Sequence, residues 1–209
     1  MKTEDLIAAL AQDTAPRPRP EGRLARAIGP AFLVAGVLML ALLGLRSDLG
    51  EALRDPMIWG KFVLPALVAG AALPLVLRLG RPAAATRFSL LALPAGFVLL
   101  LLVAGYVLTP EGGRQMAWAG KTLWPCLVSI PTLSLAILAA TLWALRSGAV
   151  LRPALTGAMA GLFAGGLGTL IYATHCTEDS PLFYGSWYSL GMLITALIGA
   201  LIAPRLLRW

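Results

Sequence analysis

Apolar residues run along the chain in six long stretches, at roughly 28–45, 57–77, 88–108, 122–145, 154–173 and 184–203. Each is close to the ~20 residues an α-helix needs to cross a bilayer. Within or beside these windows the charged side chains are Lys61 and, at the very edge, Lys121, each near a predicted helix start. The third and fifth stretches carry no charge at all. The pattern predicts an all-α polytopic membrane protein of six transmembrane helices, preceded by a short N-terminal helix.

That first helix is read from its own signals. Thr3 caps it, and Glu4 and Asp5 lie in the first turn, where negative charge suits the helix dipole. Leu6, Ile7 and Leu10 fall on one face. The helix is expected to end near Asp13, before Pro16-Arg-Pro-Arg-Pro20, a stiff extended spacer. The chain thus divides into residues 1–26, a helix and Pro/Arg linker, and 27–209, the membrane domain. A helix of ~10 residues is marginal alone in water, so this one is expected to order by laying its apolar face in a partner's groove. Lying on the bilayer is the weaker reading, because its acidic face opposes an anionic leaflet.

Short connections allow the positive-inside rule to be applied loop by loop. One side collects twelve basic residues and four acidic ones, the other five basic and six acidic. The basic side includes both termini, which places them in the cytoplasm of a bacterial inner membrane. The net charge of +7 is explained by this topology and by anionic lipid, so direct nucleic-acid binding is not expected. The first apolar run follows a long polar segment, so it is read as a retained helix rather than a signal peptide.

Composition sharpens these limits. The charged fraction is 13%, about half the ~25% of a soluble domain, and the mean hydropathy is +0.80. With a single histidine, His175, a bis-histidine haem or an HExxH zinc site cannot form within one chain. The two cysteines, Cys126 and Cys176, make no C-x-x-C. No aspartate or glutamate falls inside the six stretches, so a transporter would lack its usual buried carboxylates. No cofactor is implied.

Packing between the helices is expected through small residues. Gly157, Gly161 and Gly165 in the fifth stretch and Gly191, Thr195 and Gly199 in the sixth repeat every four positions, which predicts that these two helices pack closely. Trp59, Trp118, Trp124 and Trp187 open the outward ends and read as an interfacial belt. Phe183, Tyr184, Trp187 and Tyr188 read first as part of that belt, though they could also wall off the neighbouring cysteine loop. Lys61-Phe-Val-Leu-Pro65 and Lys121-Thr-Leu-Trp-Pro125 match in pattern, leaving open either an internal repeat or a lysine belt.

By this topology both cysteines face the outer side, which in a Gram-negative cell is the oxidising periplasm. His175, when protonated, would favour a Cys176 thiolate, and a helix N-terminus would do the same for Cys126. Such a pair could form a reversible disulfide or trap a soft metal ion. The alternative is a small buried filler at 126 and an unreactive loop residue at 176. Spacing does not choose between these.

Met1-Lys-Thr-Glu-Asp-Leu-Ile-Ala-Ala-Leu-Ala11, His175-Cys-Thr-Glu-Asp-Ser-Pro181, Trp187-Tyr-Ser-Leu-Gly191 and Pro204-Arg-Leu-Leu-Arg-Trp209 resemble the NrsF-type family of bacterial anti-sigma factors. The likeness covers nearly the whole chain, and the cysteine loop with the Trp-Tyr-x-Leu-Gly run is its specific part. It implies an inner-membrane negative regulator whose N-terminus holds an extracytoplasmic-function sigma factor away from RNA polymerase; the helix reading then makes Leu6, Ile7 and Leu10 the expected anchors, with Glu4 and Asp5 meeting basic groups on the partner and Thr3 at the cap. It implies further that Cys126 and Cys176 are sensor cysteines and that stress at the outer face releases the sigma factor; His175, Lys121, Glu178 and Asp179 are read from the sequence itself as the surroundings of the two thiols. The resemblance carries no expectation of histidine at 175. The rival readings are a small transporter and a periplasm-facing thiol oxidoreductase; no catalytic residue is assigned, and the protein is read as a regulator and not an enzyme. The sequence assigns no oligomeric state and no particular stress.

Overall fold

The computed structural model describes residues 3–4, 20–81 and 86–207 of the chain. Among the described residues the regular structure is helical throughout. Six helices are long and apolar enough to cross a membrane. They are α1 (Pro20–Leu42), α2 (Pro56–Leu79), α3 (Ala92–Leu108, entered through a 3-10 turn at Phe88–Leu91), α4 (Leu123–Leu145), α5 (Pro153–Ala173) and α6 (Pro181–Leu206). Two shorter helices, Leu49–Ala52 and Arg114–Ala119, lie in the α1–α2 and α3–α4 connections.

The helix starts carry their own explanation. Proline opens α1, α2, α5 and α6, where its fixed φ suits the first turn and no amide donor is lost. Asp55 caps α2, its carboxylate accepting from the Met57 amide at 2.8 Å. α1 begins at Pro20, earlier than the apolar stretch that starts near 28. Hydropathy marks the lipid-facing core of a helix, whereas Arg23 and Arg26 extend the same helix by two polar turns beyond it. The spacer at 16–19 lies outside the described residues, and Pro20 itself is already helical.

α5 is the most buried of the six and α3 the least. α5 packs most extensively on α6, then on α2 and α4; α1 lies along α4, and α3 leans mainly on α6. Glycines make this centre. A Cβ on Gly157 would strike the Gly199 carbonyl, one on Gly199 the Gly157 carbonyl, and one on Gly161 the backbone of Thr195 and Ala196. Gly165 meets Met192. The close α5–α6 packing predicted from the four-residue spacing is therefore present, with one difference: Gly191 faces Ile130 of α4, not α5. Two further glycines of α5 serve other neighbours, Gly166 against Pro65 and Ala69 of α2 and Gly168 against Ser134 of α4. Small residues let backbones approach where lipid supplies little drive for helix association.

Four buried serine and threonine hydroxyls in the bundle bond to their own helices. Ser134, Thr141, Thr169 and Thr195 each donate to the carbonyl four residues earlier, at 2.7, 2.8, 2.7 and 3.0 Å. This satisfies groups that would otherwise be stranded in an apolar interior. The outer faces of α1, α3 and the flanks of α4 and α6 present exposed Leu, Val and Trp side chains, the surface that suits a lipid surround.

Candidate functional site

The cysteine loop, residues 174–180, joins α5 to α6 at one end of the bundle. Its first turn is continuous with the end of α5: the His175 and Cys176 amides both donate to the Tyr172 carbonyl, at 2.9 and 3.1 Å. The α1–α2 connection then lies against it. Gly44, in the left-handed region at φ +75°, turns the chain after α1, and its carbonyl accepts from His175 Nδ1 at 2.9 Å. A carbonyl can only accept, so the proton of a neutral His175 sits on Nδ1. The Arg46 amide donates to the Thr174 carbonyl at 3.2 Å.

Arg46 and Lys61 fill the space between these segments. The Arg46 guanidinium is almost fully buried and grips two carboxylates in bidentate fashion. Its Nε and Nη2 donate to Asp48 at 2.8 and 2.8 Å, and its Nη1 and Nη2 to Asp179 at 2.7 and 2.9 Å. Lys61 of α2 is wholly buried and donates to Asp179 Oδ1 at 2.8 Å, to the Cys176 carbonyl at 2.7 Å and to the Glu178 carbonyl at 3.3 Å. The Cys176 carbonyl also accepts from Arg46 Nη1 at 3.2 Å. Two cations and two carboxylates therefore balance, and this is the condition under which buried charge is tolerated.

The charges tune one another. Hydrogen bonds to Asp48 and Asp179 hold the Arg46 guanidinium charged even more firmly than usual, against the opposing effect of burial. Arg46 in turn holds Asp48 down to about 2. At Asp179 burial pushes the carboxyl up, but hydrogen bonds from Arg46 and Lys61 outweigh it, and the net direction is below the ordinary carboxylate value.

Beneath this lid lie the two thiols, free and buried, Cys126 at 0% exposure in the first turn of α4 and Cys176 at 2%. Both belong to the same buried cluster as Tyr172. Tyr172 and Tyr188 pack edge to face with ring centroids 6.0 Å apart, and both hydroxyls are buried. Tyr184 continues the wall and donates its hydroxyl to the Met57 carbonyl at 2.9 Å, over the gap left by Gly60. Among the described residues no three His, Cys, Asp or Glu side chains converge to hold a metal ion.

The structure thus gathers Cys126, Cys176, His175, Glu178 and Asp179 at one end. Lys121 joins them differently from expectation: its side chain is exposed, and it is the Lys121 amide that donates to Glu178 Oε1 at 2.7 Å. Gly120, at φ +59°, makes that turn, and a Cβ there would strike Phe183 and Glu178. Thr3 and Glu4 are helical and exposed; Asp5, Leu6, Ile7 and Leu10 lie outside the described residues.

Two readings need correction. Phe183, Tyr184 and Tyr188 are fully buried, not an interfacial belt, because α6 starts at Pro181 and turns them inward over the cysteines. Trp187 alone stays at the surface, its ring 4.8 Å from Trp118 and its Nε1 donating to the Trp118 carbonyl at 2.6 Å. Lys61 is likewise no belt lysine. Sequence reasoning missed it, together with Arg46 and Tyr172. The available signal was a lone lysine inside an apolar span, which calls for a buried counter-charge.

Fold and site together define a polytopic helical membrane protein that carries two buried thiols beneath an ion-paired loop. The family follows from comparison: the family model described as "Negative regulator of sigma F" (NrsF) matches residues 10–209, and the chain belongs to that family. It is 40% identical over 213 residues to "Probable anti-sigma-F factor NrsF" of Azospira oryzae, covering 100% of both chains. It is 37% identical over 214 residues to "Anti-sigma-F factor NrsF" of Caulobacter vibrioides, again covering 100% of both. No solved structure matches the chain.

Proposed function

We propose that this protein is a membrane-bound anti-sigma factor that sequesters an extracytoplasmic-function sigma factor through its cytoplasmic N-terminal segment and releases it when thiol chemistry occurs at Cys126 and Cys176. The observation that carries the reading is relatedness along the whole chain to two proteins named anti-sigma-F factors. The charge asymmetry of the loops supports an inner-membrane orientation with the cysteines facing the periplasm and both termini inside. Regulation without catalysis accords with the site, which sets thiols, an ion-paired lid and tyrosines together.

The geometry supports a route from one end to the other. α1 runs unbroken from Pro20 to Leu42, a rod of about 34 Å. One end receives the N-terminal segment; just beyond the other, Gly44 and Arg46 hold the cysteine loop. A change at the thiols that favours a different packing of this loop would bias α1, and the N-terminal segment with it. Such coupling is as strong as the signal's preference between the two packings.

The test is capture of the sigma factor from the native host by the tagged protein in detergent, full-length beside a version lacking residues 2–14. Capture by the full-length chain alone supports the reading and places the contact on the N-terminal segment. Absence of a sigma factor from both, under reducing and under oxidising conditions, overturns it. Cys126→Ser and Cys176→Ser should keep capture and lose release; release by both variants overturns the sensor assignment.

A further inference from the structure

We propose that Lys61 is a positioning residue that keeps the Cys176 thiol closed off from reagents, so that α2 sets the threshold at which this thiol can react. An ammonium has three donors, and Lys61 spends all of them on the cysteine loop: the Cys176 and Glu178 carbonyls and the Asp179 carboxylate. The Cys176 carbonyl takes a second charged donor from Arg46, and its amide is bound back to Tyr172. Both backbone polar groups of Cys176 are thus held, from α2, from the α1–α2 connection and from α5. In this pinned conformation Cys176 is 2% exposed.

Stability alone does not account for a lysine here. A buried ion pair gains little over an apolar pair of the same volume, because desolvation offsets attraction. A methionine at 61 would be of similar length without the charge. What only the amine supplies is directional: it ties one particular conformation of the cysteine loop to α2, and that conformation can be lost in one step when the loop lifts. Lys61 therefore governs local opening of the loop, through which a reagent must pass to reach Cys176. It acts through the backbone of residue 176 and does not itself take part in thiol chemistry.

The inference rests on the sensing reading only for its biological consequence; thiol shielding can be measured without any sigma factor. The full-length protein is labelled with N-ethylmaleimide in detergent, with Cys126→Ser reporting Cys176 and Cys176→Ser reporting Cys126. Lys61→Met should speed labelling of Cys176 by about tenfold or more, the loss expected for charge-assisted hydrogen bonds that gate a local opening. Labelling of Cys126, held on α4, should stay within about twofold. Lys61→Gln, which keeps a neutral donor, should fall between wild type and Lys61→Met, and carries the test if Lys61→Met does not fold. Unchanged labelling of Cys176 overturns the proposal, and so does equal acceleration of both thiols, which would mean a general loosening of the bundle. Release of the captured sigma factor by the same variants separates the two readings: fast labelling of Cys176 in Lys61→Met upholds the shield, and a sigma factor that stays bound once Cys176 is modified removes Cys176 from the sensing mechanism.

Discussion

The ammonium of Lys61 donates to the backbone carbonyl of Cys176, 115 residues further along the chain, at 2.7 Å. That bond ties the second helix to the turn between the last two, and Asp179 completes the tie by accepting from Lys61 and Arg46 together. Asp179 is therefore the carboxylate on which both buried cations depend, whereas Asp48 serves Arg46 alone and is half exposed at 50%. Asp179→Asn should destabilise the folded protein by about 3 kcal/mol, the lower end for breaking a buried pair, because Asp179 is partly open to solvent. Asp48→Asn should lower the midpoint clearly less, as for a surface pair. Thermal midpoints in detergent check the order; equal effects would show that Lys61 does not depend on Asp179.

Acid should act on the same cluster, with a sign fixed by the depressed carboxylates. A group whose folded value lies below its unfolded one stabilises the protein above the unfolded value and loses that contribution as pH falls through the folded value. Asp48 is drawn from 3.8 to about 2 by Arg46, and Asp179 is drawn down by Arg46 and Lys61. The thermal midpoint contributed by these groups should thus be flat above the ordinary carboxylate range and fall steadily from pH about 4 towards 2. In Asp179→Asn the slope over that window should be shallower. A wild-type midpoint that already falls between pH 7 and 5 would point to other groups.

The glycine stripes separate helix contact from helix composition. Gly161→Ala would drive a methyl into the backbone of Thr195 and Ala196, and overpacking of this kind costs about 1–3 kcal/mol. Gly70→Ala, on the exposed side of α2 with nothing within 4 Å of the added carbon, should be neutral or stabilising, by up to about 1 kcal/mol. Detergent unfolding of the two variants distinguishes a packed α5–α6 contact from glycine that is merely tolerated in a membrane helix.

Which of these features the sequence announces depends on how local their causes are. Six spans and the α5–α6 contact are legible because length, hydropathy and a four-residue spacing are properties of single helices. The fate of Lys61 is not. Lys61 and Lys121 stand in the same local pattern, each four residues before a proline, yet one is wholly buried and the other exposed. Their difference lies in partners: Asp179 and the Cys176 carbonyl converge on Lys61 from a distant loop, while Lys121 offers that loop its amide. Phe183, Tyr184 and Tyr188 were ambiguous for a related reason. An aromatic cluster at a span's mouth suits a lipid interface and a buried wall equally, until the start of α6 at Pro181 fixes which side faces in.

Gly44 offers a way to loosen the tie between α1 and the cysteine loop without touching a charge. Its φ of +75° is one that side chains resist, and an added carbon would meet nothing within 4 Å. Gly44→Ala should therefore act through backbone strain alone, at about 1–2 kcal/mol. The relief of that strain moves the Gly44 carbonyl, which is the acceptor for His175 Nδ1. Under the proposed function, a reporter driven by the sigma factor should rise in Gly44→Ala cells without any stressor, and Cys126→Ser should not suppress the rise, because the change enters below the thiols. His175→Ala removes the donor of the same bond and should raise the reporter in the same direction. If both variants bind and release the sigma factor as the parent does, α1 does not carry the signal from the cysteine loop.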